Sequence, residues 1–584
     1  MHLSYKSSKY KDKVYKSYFI AESYRDGKSI KKNILWKLGK LTDLQAMQIK
    51  YICKVVTDPE IAITTIHDIV VQECKHYGPA AVANALWDEW QISKAFKCNN
   101  TESELSTDLI AKILTINRCI SPCSHYSLSQ WISETAISEI LNQDLRKINE
   151  SKLYYELDKI DLNHTNLENH LFQKMFSKDP TSFQYINYDL SSSYFVGFKC
   201  DLACRGKSKD DKPNNKQVVL GILVNDKGYP FKWDVYPGNM AEVHTLSTNV
   251  EACVKRFKLK NINLVFDRGI VSNENLSQVN DKKLKYISAV DKDQIPKIKS
   301  LDVSIFSGIT FENHVTHLKK YDFKMFDNLL YYKDLGIIDN RRYVLGFNPE
   351  LFRMERKCRE EKIEYFEKFL DEKNKELENA QRSRKQLSTQ QIILTELKRL
   401  KIKKYFNPPE LTPLKLERKN KKGEIRIVNS FKISITRKTE VLAEWEKLDG
   451  LCVFISNHVE AKNDKFVFSS EKIIMAYREK TKIEDAFKHI KSFLNIRPFF
   501  VHTPAHVRAV YDVCVLAYFL NKDLAERRKK VEKIDFLNSK NLYEPFKKYF
   551  FYTLKDKVTN ESKSQAMDIS TKMRKYLTSL NIDI

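Results

Sequence analysis

Tyr477 to Lys491, YREKTKIEDAFKHIK, sets one carboxylate inside a row of cations. On a helix turning about 100° per residue, Tyr477, Lys480, Glu484, Lys488 and Lys491 fall within an arc of about 80° and span about 21 Å. Ala476, Ile483, Ala486, Phe487, Ile490 and Leu494 form the adjoining apolar arc, the face that packs on a core. A carboxylate placed to hold a metal beside cations placed to hold phosphates is what phosphodiester chemistry requires. A Lys/Glu pair four residues apart is more often a solvated helix ornament. The rest of the chain must therefore supply the case.

Two further acids sit where strands would present them. Asp189 lies in INYDLSSSY, a strand with a mixed face, and Asp267 follows the apolar run NLVF and precedes Arg268-Gly269. Open α/β sheets bind ligands at such strand ends. Attack on a phosphodiester needs a deprotonated nucleophile and a stabilised leaving oxygen, and two Mg²⁺ ions about 4 Å apart can supply both. Mg²⁺ takes a few carboxylates plus water and phosphate oxygens, so three acids from separate elements suit it. Alone, Asp189 reads as a strand-edge acid and Asp267 as a turn residue; the ordered combination is what points to a site.

The elements that must position these acids can be read from periodicity. QYINYDLSS, KQVVLGILVN and YPFKWDVYP are β-rich, the last two joined across a DKG turn. A helix (EVHTLSTNVEACVKRF), NINLVFD, a short helix near ENLSQVN, and KLKYISAV follow. The expected fold is an α/β core with a mixed sheet. Residues 1–64 hold a β-hairpin, with strands at 17–24 and 31–38 around RDGKS. Residues 65–180 are expected to be a helical domain, including IHDIVVQECKHYG, with Trp87, Trp90 and Trp131 as core residues. The core then runs over 181–291 and resumes over 466–525, closed by Arg497-Pro498 after the helix at 471–495. An insertion at 292–465 separates the two parts. It contains the charged helices 354–404, a projecting pair or short coiled coil, and the strands FKISITRK and LCVFISN. Residues 526–584 read as a basic tail.

The 584 residues carry 100 Lys plus Arg against 75 Asp plus Glu, a net charge of +25, so a polyanion is the natural partner. The polar, basic start gives no signal peptide, and no apolar run of about 18 residues predicts a membrane span. The scattered cysteines suggest a reducing interior. Cys119, Cys123 and His125, and Cys200 with Cys204, lack the spacing of a zinc ribbon or finger and read as small buried thiols.

On these residues the chain resembles DDE transposases of bacterial insertion sequences, in particular the insertion-sequence-four superfamily. Its final-helix signature, Tyr, two residues, Arg, three residues, Glu, six residues, Lys, is matched by Tyr477, Lys480, Glu484 and Lys491. YDLSSSYF at Asp189 and VFDRGIVSNENL at Asp267 match the other acid motifs. The hairpin SYFIAESYRDGKSIKKNILWKLGKL resembles the N-terminal region of larger members. The resemblance implies a ribonuclease-H-like mixed-sheet core interrupted by a mixed helical and β insertion, behind a mainly helical N-terminal region. An insertion of about 170 residues accounts for the 217 positions between Asp267 and Glu484. Two departures stand out: Lys480 for the usual Arg, which loses the bidentate phosphate fork, and Met240 for a residue more often Thr.

The resemblance further implies that Asp189, Asp267 and Glu484 are catalytic and hold two Mg²⁺ (or Mn²⁺) ions, while Tyr477, Lys480 and Lys491 hold the DNA backbone. Hydrolysis at the element's terminal inverted repeats would expose a 3′-OH that attacks target DNA. The partners implied are double-stranded DNA and a second copy of the chain in a paired-end complex. The location implied is the prokaryotic cytoplasm, at the nucleoid. Lys488, Asn239 and His244 are minor candidates, more ordinary as surface or turn residues. The competing readings are an inactive or recruited DNA-binding protein, a metal-dependent nuclease without strand transfer, and a basic coiled-coil protein.

Overall fold

The computed structural model describes residues 1–11, 13–58, 66–97, 105–197, 199–206, 214–298, 301–419, 423–496, 499–535 and 539–584. The chain divides into two compact units: Met1–Glu89 with Lys112–Leu153 and Asp523–Ile584, and Trp90–Ala111 with Tyr154–Lys522.

The second unit is built on a sheet of nine strands. They are β1 (Tyr185–Tyr194), β2 (Gln217–Val224), β3 (Pro230–Pro237), β4 (Asn263–Phe266), β5 (Lys285–Ala289), β6 (Lys324–Asp327), β7 (Leu330–Ile338), β8 (Arg341–Phe347) and β9 (Leu451–Ser456), in the order β6-β7-β8-β9-β5-β4-β1-β2-β3. β1, β2 and β3 form an antiparallel meander, and β4 and β5 run parallel to β1. That mixed arrangement is the ribonuclease-H-like core. β2, QVVLGILV, is buried along its whole length, as a near-continuous apolar run demands of a strand covered on both faces. The turn into β3 uses Gly228 at φ +82°, and Asn225 Oδ1 accepts from the Lys227 and Tyr229 amides at 3.1 and 3.0 Å.

The region between the two core segments divides differently from the sequence expectation. β6 to β9 lie within residues 292–465 yet extend the core sheet, β9 pairing antiparallel with β5. The excursion away from the sheet is α1 (Pro349–Glu378), α2 (Gln386–Arg399), a hairpin of Glu410–Lys419 with Ile425–Ser434, and a helix at Thr439–Glu446. The charged helices are not a free coiled coil. Phe366, Leu377, Ile393, Leu397 and Ile433 close a core of their own between helices and hairpin, and Arg359 forms a buried ion pair with Asp449.

One expectation for the first unit is overturned. IHDIVVQECKHYG was expected to be helical; Ile69–His76 is a strand paired antiparallel with Phe550–Asp556. Its β-branched run outweighs a weak helical period once a partner strand supplies the ladder. The basic tail is ordered into two strands, Phe550–Asp556 and Ser562–Ala566, and a helix at Thr571–Ser579 capped by Ser570. The N-terminal hairpin is present as Lys13–Asp26 and Ser29–Gly39, joined by a third strand, His2–Tyr10, absent from the sequence reading. Trp87, Trp90 and Trp131 are buried. Among the described residues no helix is long and apolar enough to cross a membrane.

Candidate active site

Asp189 sits in mid-β1 opposite Ile222 of β2. On the other side, β1 pairs with β4 in parallel, and the register ends at Tyr188 opposite Phe266. Asp189 and Asp267 are therefore the next residues on two neighbouring parallel strands, which run about 4.8 Å apart. Val265 and Phe266 are fully buried, and Asp267 is the first residue past them. Its carboxylate accepts from the Arg268 amide at 2.9 Å and caps the short turn at 268–270. Asn275 then donates to the Ile270 and Val243 carbonyls at 2.7 and 2.8 Å, fixing the loop behind the acid.

The segment carrying Glu484 is not one uniform helix, a correction to the single arc expected from a constant pitch. It comprises α3 (Ser470–Arg478) and α4 (Thr481–Lys488), followed by a wide turn at His489–Phe493. Between α3 and α4 the amides of Lys480, Lys482 and Ile483 bond three residues back, at 3.2, 3.1 and 3.0 Å, which tightens the chain locally. In the wide turn Leu494 bonds five residues back, at 3.1 Å. The Arg497-Pro498 stop lies outside the described residues.

These irregularities decide where the side chains go. Ile473, Ile474 and Ala476 pack on Val265, Ile287 and Phe454, seating α3 on the sheet. The tight turn brings the Lys480 ammonium to 3.1 Å from Asp267 and 3.9 Å from Glu484. The Tyr477 hydroxyl donates to Asp267 at 3.2 Å, while its ring packs against Phe454 at 5.3 Å. The Lys480 side chain is 10% exposed, whereas Glu484 is 59% exposed. Thus Asp267, Tyr477, Lys480 and Glu484 come together, with Asp189 in register beside Asp267. The wide turn takes Lys491, which as a whole residue is 8% exposed, as is Lys480. Lys488, Asn239 and His244 are exposed.

Burial pushes the Asp267 carboxyl up, but the Lys480 ammonium, the Arg268 amide and the Tyr477 hydroxyl outweigh it and hold the group below its ordinary value. Burial and the Asp267 charge raise the Tyr477 phenol far above its ordinary value, so it remains a donor.

Several positioning residues escaped the sequence reading. Arg342 of β8 binds Asp334 of β7 at 2.6 Å and Ser470 at 3.0 Å, clamping the start of α3. Arg478 pairs with Asp327 of β6. Lys482 donates to the Asp226 carbonyl at 2.6 Å, tying α4 to the β2–β3 turn. His489 is held by Asn521 at 3.2 Å, and burial with the Lys522 charge pushes its imidazole down to about 4. Apart from Arg342 and Asp334, eight residues apart across the β7–β8 turn, each partner is distant in sequence.

Among the described residues, no three His, Cys, Asp or Glu side chains are grouped to hold a metal ion. Asp267 and Glu484 nevertheless share one cation, the Lys480 ammonium, and both offer the hard carboxylate oxygens that Mg²⁺ takes. In kind, the two carboxylates are ligands that a divalent metal takes.

Comparison with known proteins adds to this geometry. A family model described as the transposase DDE domain matches residues 197–520, more than half of the chain. The chain belongs to the DDE transposases. Its residues 3–59 match the N-terminal domain of IS1634 family transposases. The DDE match takes in Asp267, Tyr477, Lys480, Glu484 and Lys491 but begins after Asp189. No curated protein gives a significant match. Among solved structures, a piggyBac transposase synaptic complex with hairpin DNA aligns over 80% of this chain and 76% of that one, at 8% identity and a TM-score of 0.33. A Mos1 transposase paired-end complex with the left transposon end aligns over 32% and 60%, at 11% identity and a TM-score of 0.14. Likeness at those levels carries no inference about this chain.

Proposed function

We propose that this chain cuts DNA at the terminal inverted repeats of its own insertion sequence and joins the freed 3′-OH ends to target DNA. The observation that carries the reading is the meeting of Asp267, Glu484, Lys480 and Tyr477 at the end of a parallel strand, with Asp189 in register beside them. Asp189, Asp267 and Glu484 would hold two Mg²⁺ or Mn²⁺ ions. When bound, such a pair supplies a deprotonated oxygen nucleophile and stabilises the leaving oxygen.

The chain's own residues set the stage for that chemistry. Asp267 stays ionised because Lys480 and Tyr477 favour its charged form. Tyr477 fixes the orientation of that carboxylate through its hydroxyl, with its ring braced on Phe454. Lys480 balances two acids now, and its ammonium is placed to meet a phosphate when DNA enters. Glu484, on the exposed side, faces the arriving strand. Lys491, as buried as Lys480, would hold the backbone from the wide turn. A second copy would bring the other element end, and the setting is the cytoplasmic nucleoid.

The test is cleavage and joining of labelled DNA carrying the element's ends, with and without Mg²⁺, for wild type and Glu484→Ala. Metal-dependent cuts at the repeat tips with joined products, lost in the variant, support the proposal. Cuts without joining would favour a nuclease. Specific binding without cleavage would mark a DNA-binding protein that no longer cuts.

A further inference from the structure

The N-terminal segment is a three-stranded antiparallel sheet of His2–Tyr10, Lys13–Asp26 and Ser29–Gly39. Directly paired residues share a face, and alternate residues along a strand do too. The register pairs Ser4 with Phe19, Lys6 with Ser17 and Tyr10 with Lys13. On the other side of the central strand it pairs Phe19 with Lys37, Ser23 with Lys32 and Arg25 with Ile30. Lys6, Lys13, Arg25, Lys32 and Lys37 therefore belong to one face, and no Asp or Glu of the three strands stands on it. Glu22 and Asp26 lie on the opposite face, where Asp26 pairs with Lys31.

The carboxylate-free face keeps all five of its cations exposed. Their rows run from Lys13 to Arg25, about 40 Å along the central strand at about 3.3 Å per residue. At its centre, where Phe19 and Ala21 are buried, the Lys32 ammonium crosses the Ala21 row and donates to Ser4 Oγ at 3.3 Å. The rings on this face already carry cations: Lys40 stands 4.9 Å from the Tyr15 ring centroid and Lys11 5.7 Å from that of Tyr10. A base could stack there only by displacing an ammonium, so the face suits a phosphate backbone better than unpaired bases. A second copy is a poor occupant, because two such cationic faces repel. One turn of duplex DNA, about 34 Å, matches the length of the row. Only Arg25 among the five has the forked donor that reads guanine, and no Asn or Gln stands on the face to read adenine.

We infer that this face of the N-terminal sheet grips the phosphate backbone of duplex DNA along about one turn, adding affinity without reading sequence. The inference rests on the DNA-processing reading only for the identity of the polyanion. Recognition of the element's ends then falls to other parts of the chain. No covalent step is involved.

The two faces of the sheet supply the test and its control. Full-length protein is titrated by fluorescence anisotropy against two labelled duplexes of about 30 base pairs, one carrying an element end and one of unrelated sequence, across a range of salt. Wild type is set beside the triple variant Lys6→Gln, Lys13→Gln, Lys37→Gln and beside an opposite-face triple, Lys9→Gln, Lys16→Gln, Lys31→Gln. Each lost phosphate contact lowers the slope of log affinity against log salt by about one. The first triple should therefore lower it by about three and weaken both duplexes by the same factor, about 10- to 100-fold at low salt. The opposite-face triple removes the same charge and should stay close to wild type. All six positions are exposed, and circular dichroism verifies the fold. An unchanged slope in the first triple, equal losses in the two triples, a loss confined to the element-end duplex, or tighter binding to a single strand of the same length would overturn the inference. Metal-dependent end cleavage by the wild type, measured on the same preparation, reports the proposed catalysis separately. Its absence beside intact face-dependent duplex binding would sink the catalytic reading alone.

Discussion

Two charged clusters in the sheet-bearing unit invite comparison. In one, His164 meets Asp512 at 2.7 Å and Glu168 at 3.3 Å. Arg256 pairs with Glu168 there, Lys232 binds Asp234, and the Trp233 indole donates to Asp512 at 2.7 Å. Glu168 and Asp512 are essentially sealed from solvent. In the other, Lys480 lies between Asp267 and Glu484, and Glu484 faces water. Both clusters set cations against acids. The first fastens the helix His164–Lys178 and α5 (Pro504–Glu532) to β3, with every element committed to the core. The second stands at a strand end beside a tight turn and keeps one carboxylate open. Ion pairing alone therefore does not mark a site; the second cluster differs in keeping one carboxylate open to solvent.

The largest expected effect is on the open cluster. Glu484→Ala should lower cleavage of paired ends on the order of a thousandfold or more while leaving the thermal midpoint nearly unchanged, checked by single-turnover kinetics beside a melting curve. The sealed cluster should behave oppositely. His164→Ala takes the cation from buried Asp512 while Glu168 keeps Arg256, so a loss of about 3–5 kcal/mol in denaturant unfolding is expected, with activity per folded molecule preserved. Next comes Lys480→Met, which removes a phosphate contact and the counter-charge of Asp267. A fall of about 10- to 100-fold in cleavage is expected, and Lys480→Arg should restore most of it. The smallest is Tyr477→Phe, which deletes one hydrogen bond to Asp267 and should cost about fivefold.

The sealed cluster also carries a pH signature. Burial pushes the His164 imidazole down, but Asp512 and Glu168 outweigh it and push it up to about 11, from an ordinary value near 6.5. A raised folded value means the stabilisation is fully present below about 6.5 and is lost as pH rises through about 11. The thermal midpoint should therefore fall across that alkaline window. His164→Gln should flatten the fall, and an unchanged slope would show that the pair does not govern it.

What the sequence disclosed follows from the range of the interactions. NLVF and QVVLGILV announce strands because burial on both faces needs apolar runs, and Asp267 after NLVF is legible as a strand-end acid. Tyr477, Lys480 and Glu484 are close enough along the chain for a helical projection to group them. The same projection misses the local changes of pitch, because it cannot foresee a tight turn at 479–480 followed by a wide one at 489–493. Partnerships across long gaps were hidden as well. Ile69–His76 becomes a strand only through Phe550–Asp556. Likewise, the strands around Asp334 and Arg342 join the core sheet and hold α3 only once β9 returns to pair with β5.

The most direct measurement is single-turnover cleavage and joining of paired element ends in Mg²⁺ by Glu484→Ala and His164→Gln, each normalised to folded protein. The account predicts near-complete loss of both steps in Glu484→Ala, and wild-type rates in the folded fraction of His164→Gln. Wild-type cleavage by Glu484→Ala would contradict it.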